Sequence, residues 1–424
     1  MTPEFKHAQY LRDLGRHEEA VANLHTHLAH HPDDSMGYIE LAINRMNMPG
    51  QLANALEDAK RATGLMAGEA FPLALQSRIL SRLDREKEAL PMADSAIALD
   101  PDCDYAWSSK AIALVGLSRW KESEECLRKA LEIDPDSETA SNLLSHVLRM
   151  QNRLDESEGE SLRRLARDPE NAFSFANSGW AALQRGQIKE AEGLFKESLR
   201  LDPNMEYARQ GLKQSYRARS AFFRIFLKYA FFMQRFSEGN QIAIMIGMII
   251  GFKVLRALFA SVNPILVIPL AIVYYLFIFG TWLSNGLANF FILSDANARL
   301  SLDKGEKIEG VAVGVLFLGG ILALIGGLAT SIHSLAAVGG GMMIAAIPSS
   351  MVFTNPSAKG RVVFGALGTL IVILTAVMAT ELVANPGSEL FEGTAGACFS
   401  VIIFSAVACT WLGAVPSLRR VKES

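Results

Sequence analysis

Two hydropathy regimes meet near residue 210. From Met1 to about Gln210, short apolar clusters alternate with charge in an all-helical pattern. That pattern is punctuated by Asp100-Pro101, Asp134-Pro135, Asp168-Pro169 and Asp202-Pro203, each 34 residues after the last. A fixed period of this length predicts stacked pairs of antiparallel helices. One pair cannot bury its apolar face alone, whereas a stack shares a core and presents a long concave surface suited to binding other proteins. From Gln241 onward charges are sparse, and six apolar stretches approach the roughly 20 residues needed to cross a hydrocarbon core. They are Gln241–Ala260, Pro264–Ser284, Gly310–Ser331, Leu335–Phe353, Val362–Leu382 and Gly393–Val415. The expected fold is all-α: an N-terminal solenoid followed by a transmembrane bundle.

The residues inside the period are specific. The unit from Ala172 carries Phe175, Gly179, Gly186, Ala191, Phe195 and Pro203, and that from Asp104 carries Trp107, Ala111, Leu127, Ala130 and Pro135. Ala89, Ala96 and Pro101 recur in the unit from Ala70, and Gly15, Ala20, Leu24 and Pro32 in the first. Small residues let paired helices approach, and proline ends the second helix because it lacks an N–H and its ring clashes with the preceding turn. On these positions residues 1–205 resemble the tetratricopeptide repeat family, with six repeats at 1–34, 36–69, 70–103, 104–137, 138–171 and 172–205 and a capping helix to residue 216. Two repeats depart from the pattern and are expected to pack loosely. One has Ser157, Ser161 and Arg164 at usually apolar or small positions; the other keeps Ala55 and Ala62 but lacks the closing proline.

The resemblance places Asn44, Phe71, Arg78, Tyr105, Ile112, Asn142, His146, Arg149, Phe173 and Trp180 on the first helices of their repeats, facing the groove. Aromatic anchors beside amide side chains suit a protein or peptide partner. A second reading has Phe173 and Trp180 only filling the seam to the next helix. The Lys/Asn/Arg clamp that some members use for an acidic chaperone tail is absent from matching positions.

Charge sharpens this division. Residues 1–210 hold 25 Lys+Arg against 35 Asp+Glu, a balance that argues against nucleic acid. Cys103, Cys126, Cys398 and Cys409 have no CxxC or disulfide-framework spacing and read as small buried hydrophobes. The N-terminus has no apolar stretch that would read as a cleavable signal peptide. His17, His25, His27, His30 and His31 crowd the first repeat, where a solvated outer face is the expected setting. No metal, cofactor or enzymatic activity is expected.

Residues 211–240 carry six basic residues and one acidic. Arg217, Arg224, Lys228 and Arg235, spaced 7, 4 and 7 apart, fall along one line of a helix opposite Phe222, Phe223, Phe226, Phe231, Phe232 and Phe236. Residues 217–237 are therefore expected to form one amphipathic helix in the membrane interface, its cations on anionic head groups. The bundle is expected to occupy 241–416 and a basic cytosolic tail 417–424. Lys359 and Arg361 between spans four and five, with Arg419, Arg420 and Lys422 after span six, put both termini in the cytosol. Lys253 and Arg256 make the first span ambiguous between a crossing helix with snorkelling cations and a re-entrant hairpin. Paired glycines, among them Gly247 with Gly251 and Gly339-Gly340-Gly341, mark expected helix contacts.

The layout resembles bacterial multi-span membrane proteins with an N-terminal tetratricopeptide domain, which implies an inner-membrane location. The expected role is a membrane-anchored scaffold recruiting a protein partner to the cytosolic face. The alternative is a transporter, channel or insertion factor regulated by its solenoid; the lack of charge within spans three to six favours the scaffold.

Overall fold

The computed structural model describes residues 2–296, 298–385, 393–413 and 415–418. The expected tail cations Arg419, Arg420 and Lys422 and the loop carboxylates Glu389 and Glu392 lie outside these residues. Among the described residues every regular element is helical. Two units form, one comprising Met1–Ala208 with Phe232–Gln241, the other Arg209–Phe231 with Ile242–Glu423.

The first unit is a solenoid of six helical hairpins: α1 (Pro3–Asp13) with α2 (His17–His30), α3 (Ser35–Met46) with α4 (Leu52–Leu65), α5 (Ala70–Arg82) with α6 (Glu86–Leu99), α7 (Asp104–Gly116) with α8 (Trp120–Ile133), α9 (Glu138–Met150) with α10 (Leu154–Arg167), and α11 (Ala172–Arg185) with α12 (Ile188–Leu201). The helix α13 (Glu206–Arg217) follows, its residues from Arg209 onward belonging to the second unit. Each Asp-Pro is a stop signal of two parts. The aspartate sits in extended backbone just past the helix end, the conformation a following proline imposes. Its carboxylate then accepts the N–H two residues on, at 2.9–3.2 Å in all four repeats, closing an Asx turn.

The turn inside each hairpin follows the same period. Gly15, Asp84, Ser118, Asn152 and Gly186 all have positive φ. Glycine is unstrained there; a serine is held at a cost of roughly 1–2 kcal/mol. Ser118→Gly is accordingly expected to stabilise the solenoid by about 0.5 kcal/mol, part of the gain being offset by glycine's freedom when unfolded. Denaturant unfolding followed by helical circular dichroism checks this; a loss of stability would show that the Ser118 hydroxyl has a role of its own.

Small residues do what the pattern demands. A Cβ on Gly179 would lie 2.8 Å from the Phe195 ring, which is itself fully buried. The repeat with Ser157 and Ser161 is closed by hydrogen bonds: Ser145 Oγ reaches the Ser157 carbonyl at 2.9 Å and the Ser161 hydroxyl at 2.8 Å. The three serine hydroxyls satisfy one another, so at Ser157 and Ser161 the departure from pattern is a polar core layer and not loose packing. His27, expected on a solvated face, is buried between the Thr2 hydroxyl (2.8 Å) and the Asp34 carboxylate (2.6 Å). No group of three or more His, Cys, Asp or Glu suited to a metal occurs among the described residues.

The second unit contains α14 (Ala221–Met233), α15 (Glu238–Val262), α16 (Val267–Ile292), α17 (Lys304–Ala329), α18 (His333–Ser350), α19 (Ala358–Ala384) and α20 (Gly393–Leu412), α14 and α15 starting or ending in the short stretch assigned to the first unit. Gly239–Val262, Lys304–Ala329 and Ala358–Ala384 are long and apolar enough to cross a membrane, and Gly393–Cys409 is a shorter apolar helix. Helix α15 runs unbroken past Lys253 and Arg256, so the hairpin reading of this segment is set aside. Helix α16 extends to Ile292, past the expected end of the second span at Ser284. Helices α17 and α18 meet through glycines: a Cβ on Gly327 would lie 2.3 Å from the Ala336 nitrogen, and one on Gly339 2.3 Å from that of Leu324. Gly247 and Gly251, by contrast, have nothing within 4 Å and mark no contact within the chain.

Candidate functional site

The groove residues sort into two clusters and two outliers. Asn44 is fully buried, bonded to the Glu40 carbonyl at 2.8 Å and to His17 at 3.0 Å, so it ties α3 to α2. Ile112 is half-buried and joins neither cluster.

The first cluster joins α5 and α7. Phe71 packs on Tyr105 with ring centroids 4.8 Å apart, and the Arg78 guanidinium lies 4.0 Å above the Tyr105 ring. The Nε and Nη2 of Arg78 are buried without a hydrogen-bond acceptor. The second cluster spans α8, α9, α11, α12 and α13. Phe173 stacks on Tyr207 at 5.2 Å, Trp180 meets Tyr207 at 5.7 Å and Phe195 at 5.5 Å, and His146 lies between Trp120 and Tyr207. Arg149 lies 5.6 Å from the Trp180 ring centroid; it is 4% exposed, and its Nε and Nη1 also lack an acceptor. Asn142 is bound in place, accepting from Ser174 at 3.0 Å while its carbonyl takes the Asn177 amide at 3.0 Å.

Both clusters thus present a cation lying on an aromatic face, an arrangement stabilised by the ring quadrupole. Each retains buried guanidinium N–H groups without an acceptor. Phe173 and Trp180 fill the seam to α13 through Tyr207 and border the second cluster. Trp120, Asn177 and Tyr207 were missed. Tyr207 lies beyond the last repeat, and Trp120 opens the second helix of its hairpin. The period itself assigns such positions to packing.

His146 carries a pH signature. Burial, with Arg149 alongside, pushes its pKa from an ordinary 6.5 down to about 3. Between those values the unfolded chain binds a proton that the folded chain refuses, so stability is full above pH 6.5 and is lost as pH falls towards 3. His146→Gln is expected to flatten the acid limb of the stability profile relative to wild type, read by thermal melts across that range. Parallel profiles would place the imidazole in contact with water.

The four basic residues expected on one interfacial stripe separate in the structure. A turn at residues 218–220 divides α13 from α14, so 217–237 is not one helix. Arg217 is 6% exposed and is drawn to Asn289 (2.9 Å) and Glu306 (3.1 Å). Arg235 lies beyond α14; its Nη2 donates to Asn152 at 2.7 Å, and its carbonyl accepts the Trp120 indole N–H at 2.7 Å. Both prefer a protein acceptor to solvent because the partner is fixed nearby, and this corrects their assignment to lipid. Arg224 and Lys228 alone stay exposed, on a face shared with exposed Phe222, Ile225 and Phe232. The opposite face of α14 packs on α16: Phe226 covers Gly280, and Tyr229 meets Phe277 at 5.0 Å.

Residues 76–138 and 108–172 match the tetratricopeptide repeat family. The chain is similar in fold to YrrB, described as a TPR protein with an unusual peptide-binding site, at 20% identity over 45% of this chain and 97% of that one, with a TM-score of 0.32. It is likewise similar to TTC0263, a thermophilic TPR protein of Thermus thermophilus (17% identity, 43% and 98% covered, TM-score 0.40). A third similar structure is PilW, a type IV pilus biogenesis factor (18% identity, 49% and 96% covered, TM-score 0.42). No curated protein matches the chain.

Proposed function

We propose that the tetratricopeptide-repeat solenoid is a protein-interaction scaffold that recruits a partner segment bearing acidic side chains, and that the second unit holds it at the cytosolic face of a bacterial inner membrane. The observation that carries the docking reading is the pair of arginines, Arg78 and Arg149, lying on aromatic rings with guanidinium N–H groups that find no acceptor. Buried donors left unpaired cost about 1–3 kcal/mol each, and an incoming carboxylate recovers that free energy. Aromatic surface at Phe71, Phe173 and Trp180 supplies the apolar area that anchors a peptide.

Membrane attachment is supported by three helices of sufficient length and apolarity. The exposed face of α14 adds an interfacial element, its apolar Phe222, Ile225 and Phe232 entering the acyl boundary with Arg224 and Lys228 at anionic head groups. Lys359 and Arg361, exposed at the start of α19, fit a cytosolic loop under the positive-inside rule.

Selection from a random peptide display library, with the full-length protein in detergent as bait, tests the docking reading. The expected consensus holds an acidic residue near an apolar one, and Phe173→Ala with Trp180→Ala is expected to abolish enrichment. Enrichment that survives both substitutions with the fold intact would move docking off this groove.

A further inference from the structure

Within the second unit lies a cavity of about 600 Å³ bounded by α13, α14, α15, α16, α17, α18, α19 and the residues flanking them. That volume falls in the range of small-molecule sites. One of its walls is charged, although the apolar runs around it gave no hint of charge chemistry. Arg217 and Glu309 both line it, and they are 6% and 3% exposed. A single amide holds the two in register. Asn289, fully buried, accepts from Arg217 Nε at 2.9 Å and donates to Glu309 Oε2 at 3.0 Å.

Each of these groups has capacity left over. Among the described residues Arg217 uses Nε on Asn289 and Nη2 on Glu306 and has no hydrogen bond through Nη1. From the described residues Glu309 accepts one bond, through Oε2, and none through Oε1. Buried charged groups are ordinarily satisfied throughout, so a guanidinium and a carboxylate with open valences on one cavity wall describe a built site. Glu306 does not supply the remainder, being committed to Lys213 at 2.8 and 3.0 Å and to Arg217.

We propose that this cavity binds a small zwitterion of free amino-acid size. Its carboxylate pairs with Arg217 Nη1 and its ammonium with Glu309 Oε1. The charge pattern selects the class. A simple anion is repelled by Glu306 and Glu309, a simple cation by Arg217 and Lys213, and a zwitterion meets opposite charge at both ends. Asn285 and Thr354 add neutral hydrogen-bonding groups to the wall, and Trp282 and Phe364 offer an apolar surface for a side chain.

The test is calorimetric titration of the full-length protein in detergent with L-alanine, L-leucine, L-glutamine and L-phenylalanine. Propionate and ethylamine serve as probes that each lack one of the two charges. Wild type is expected to bind at least one amino acid at millimolar concentration or below, and at least about tenfold more tightly than propionate or ethylamine. Glu309→Gln, which keeps the size of the side chain and its acceptor for Asn289, is expected to weaken that binding about tenfold or more. Asn285→Trp, which fills the cavity without altering charge, is expected to abolish it. The proposal is overturned if no amino acid binds wild type. It is also overturned if either single-charge probe binds equally well, or if binding persists in the filled variant while its thermal melt matches wild type.

Discussion

Glu306→Ala is expected to destabilise the second unit by about 3–5 kcal/mol, among the largest effects of any single substitution in this chain. Two cations converge on that carboxylate. Lys213 Nζ lies 2.8 Å from Oε2, and Arg217 Nη2 lies 3.1 Å from Oε1; the two cations are 2% and 6% exposed at the side chain. The Asp303 N–H also donates to Oε2 at 3.0 Å, completing the capping box that starts α17. Burial pulls the Arg217 guanidinium below its ordinary pKa, and Glu306 and Glu309 oppose that pull. Removing Glu306 leaves one excess positive charge out of water and deletes the cap. Lys213→Met is the internal control: it leaves one excess negative charge but keeps the Arg217–Glu306 pair and the cap on α17, so its cost is expected to be smaller. Thermal unfolding in detergent, followed by circular dichroism, ranks the two variants. A loss below about 1 kcal/mol for Glu306→Ala would mean that water screens the cluster as it does surface pairs.

What the sequence revealed and what it concealed follow from the range of the interactions. The repeats were legible because their determinants are local. An aspartate caps a turn two residues on, a proline stops the helix preceding it, and small residues recur at one spacing. The apolar helices were legible for the same reason. Arg217 was misplaced because its angular position on a helix fits either lipid or protein. What decides the matter is Asn289, 72 residues away, and Glu306, 89 away. Glu309 falls just before the expected span Gly310–Ser331, whereas α17 begins at Lys304 and makes it a buried helical carboxylate. Tyr207 escaped for a different reason. A period identifies what repeats, and the groove's central ring comes from the helix that does not.

Arg149→Met is expected to weaken binding of an acidic-consensus peptide by at least about tenfold, which corresponds to roughly 1.4 kcal/mol. Methionine retains most of the stem and its packing against Trp180, so the variant removes the guanidinium and little else. A charge-assisted hydrogen bond contributes about 1.5–3 kcal/mol, and here it would be made by Nε or Nη1, atoms with no competing acceptor to surrender. Arg78→Met is expected to act in the same direction. Arg78 and Arg149 sit on separate repeats, 70–103 and 138–171, so the double variant should lose about the sum of the single losses. Folding offers an independent readout with the opposite sign. A buried guanidinium with two of its three nitrogens lacking an acceptor is a liability in the unliganded protein, so both methionine variants should melt at or above the wild-type temperature. Weaker peptide binding with undiminished stability identifies arginines kept for a partner. If the variants bind as wild type does but melt lower, Arg78 and Arg149 act only as packing for Tyr105 and Trp180, and the docking surface lies elsewhere on the solenoid.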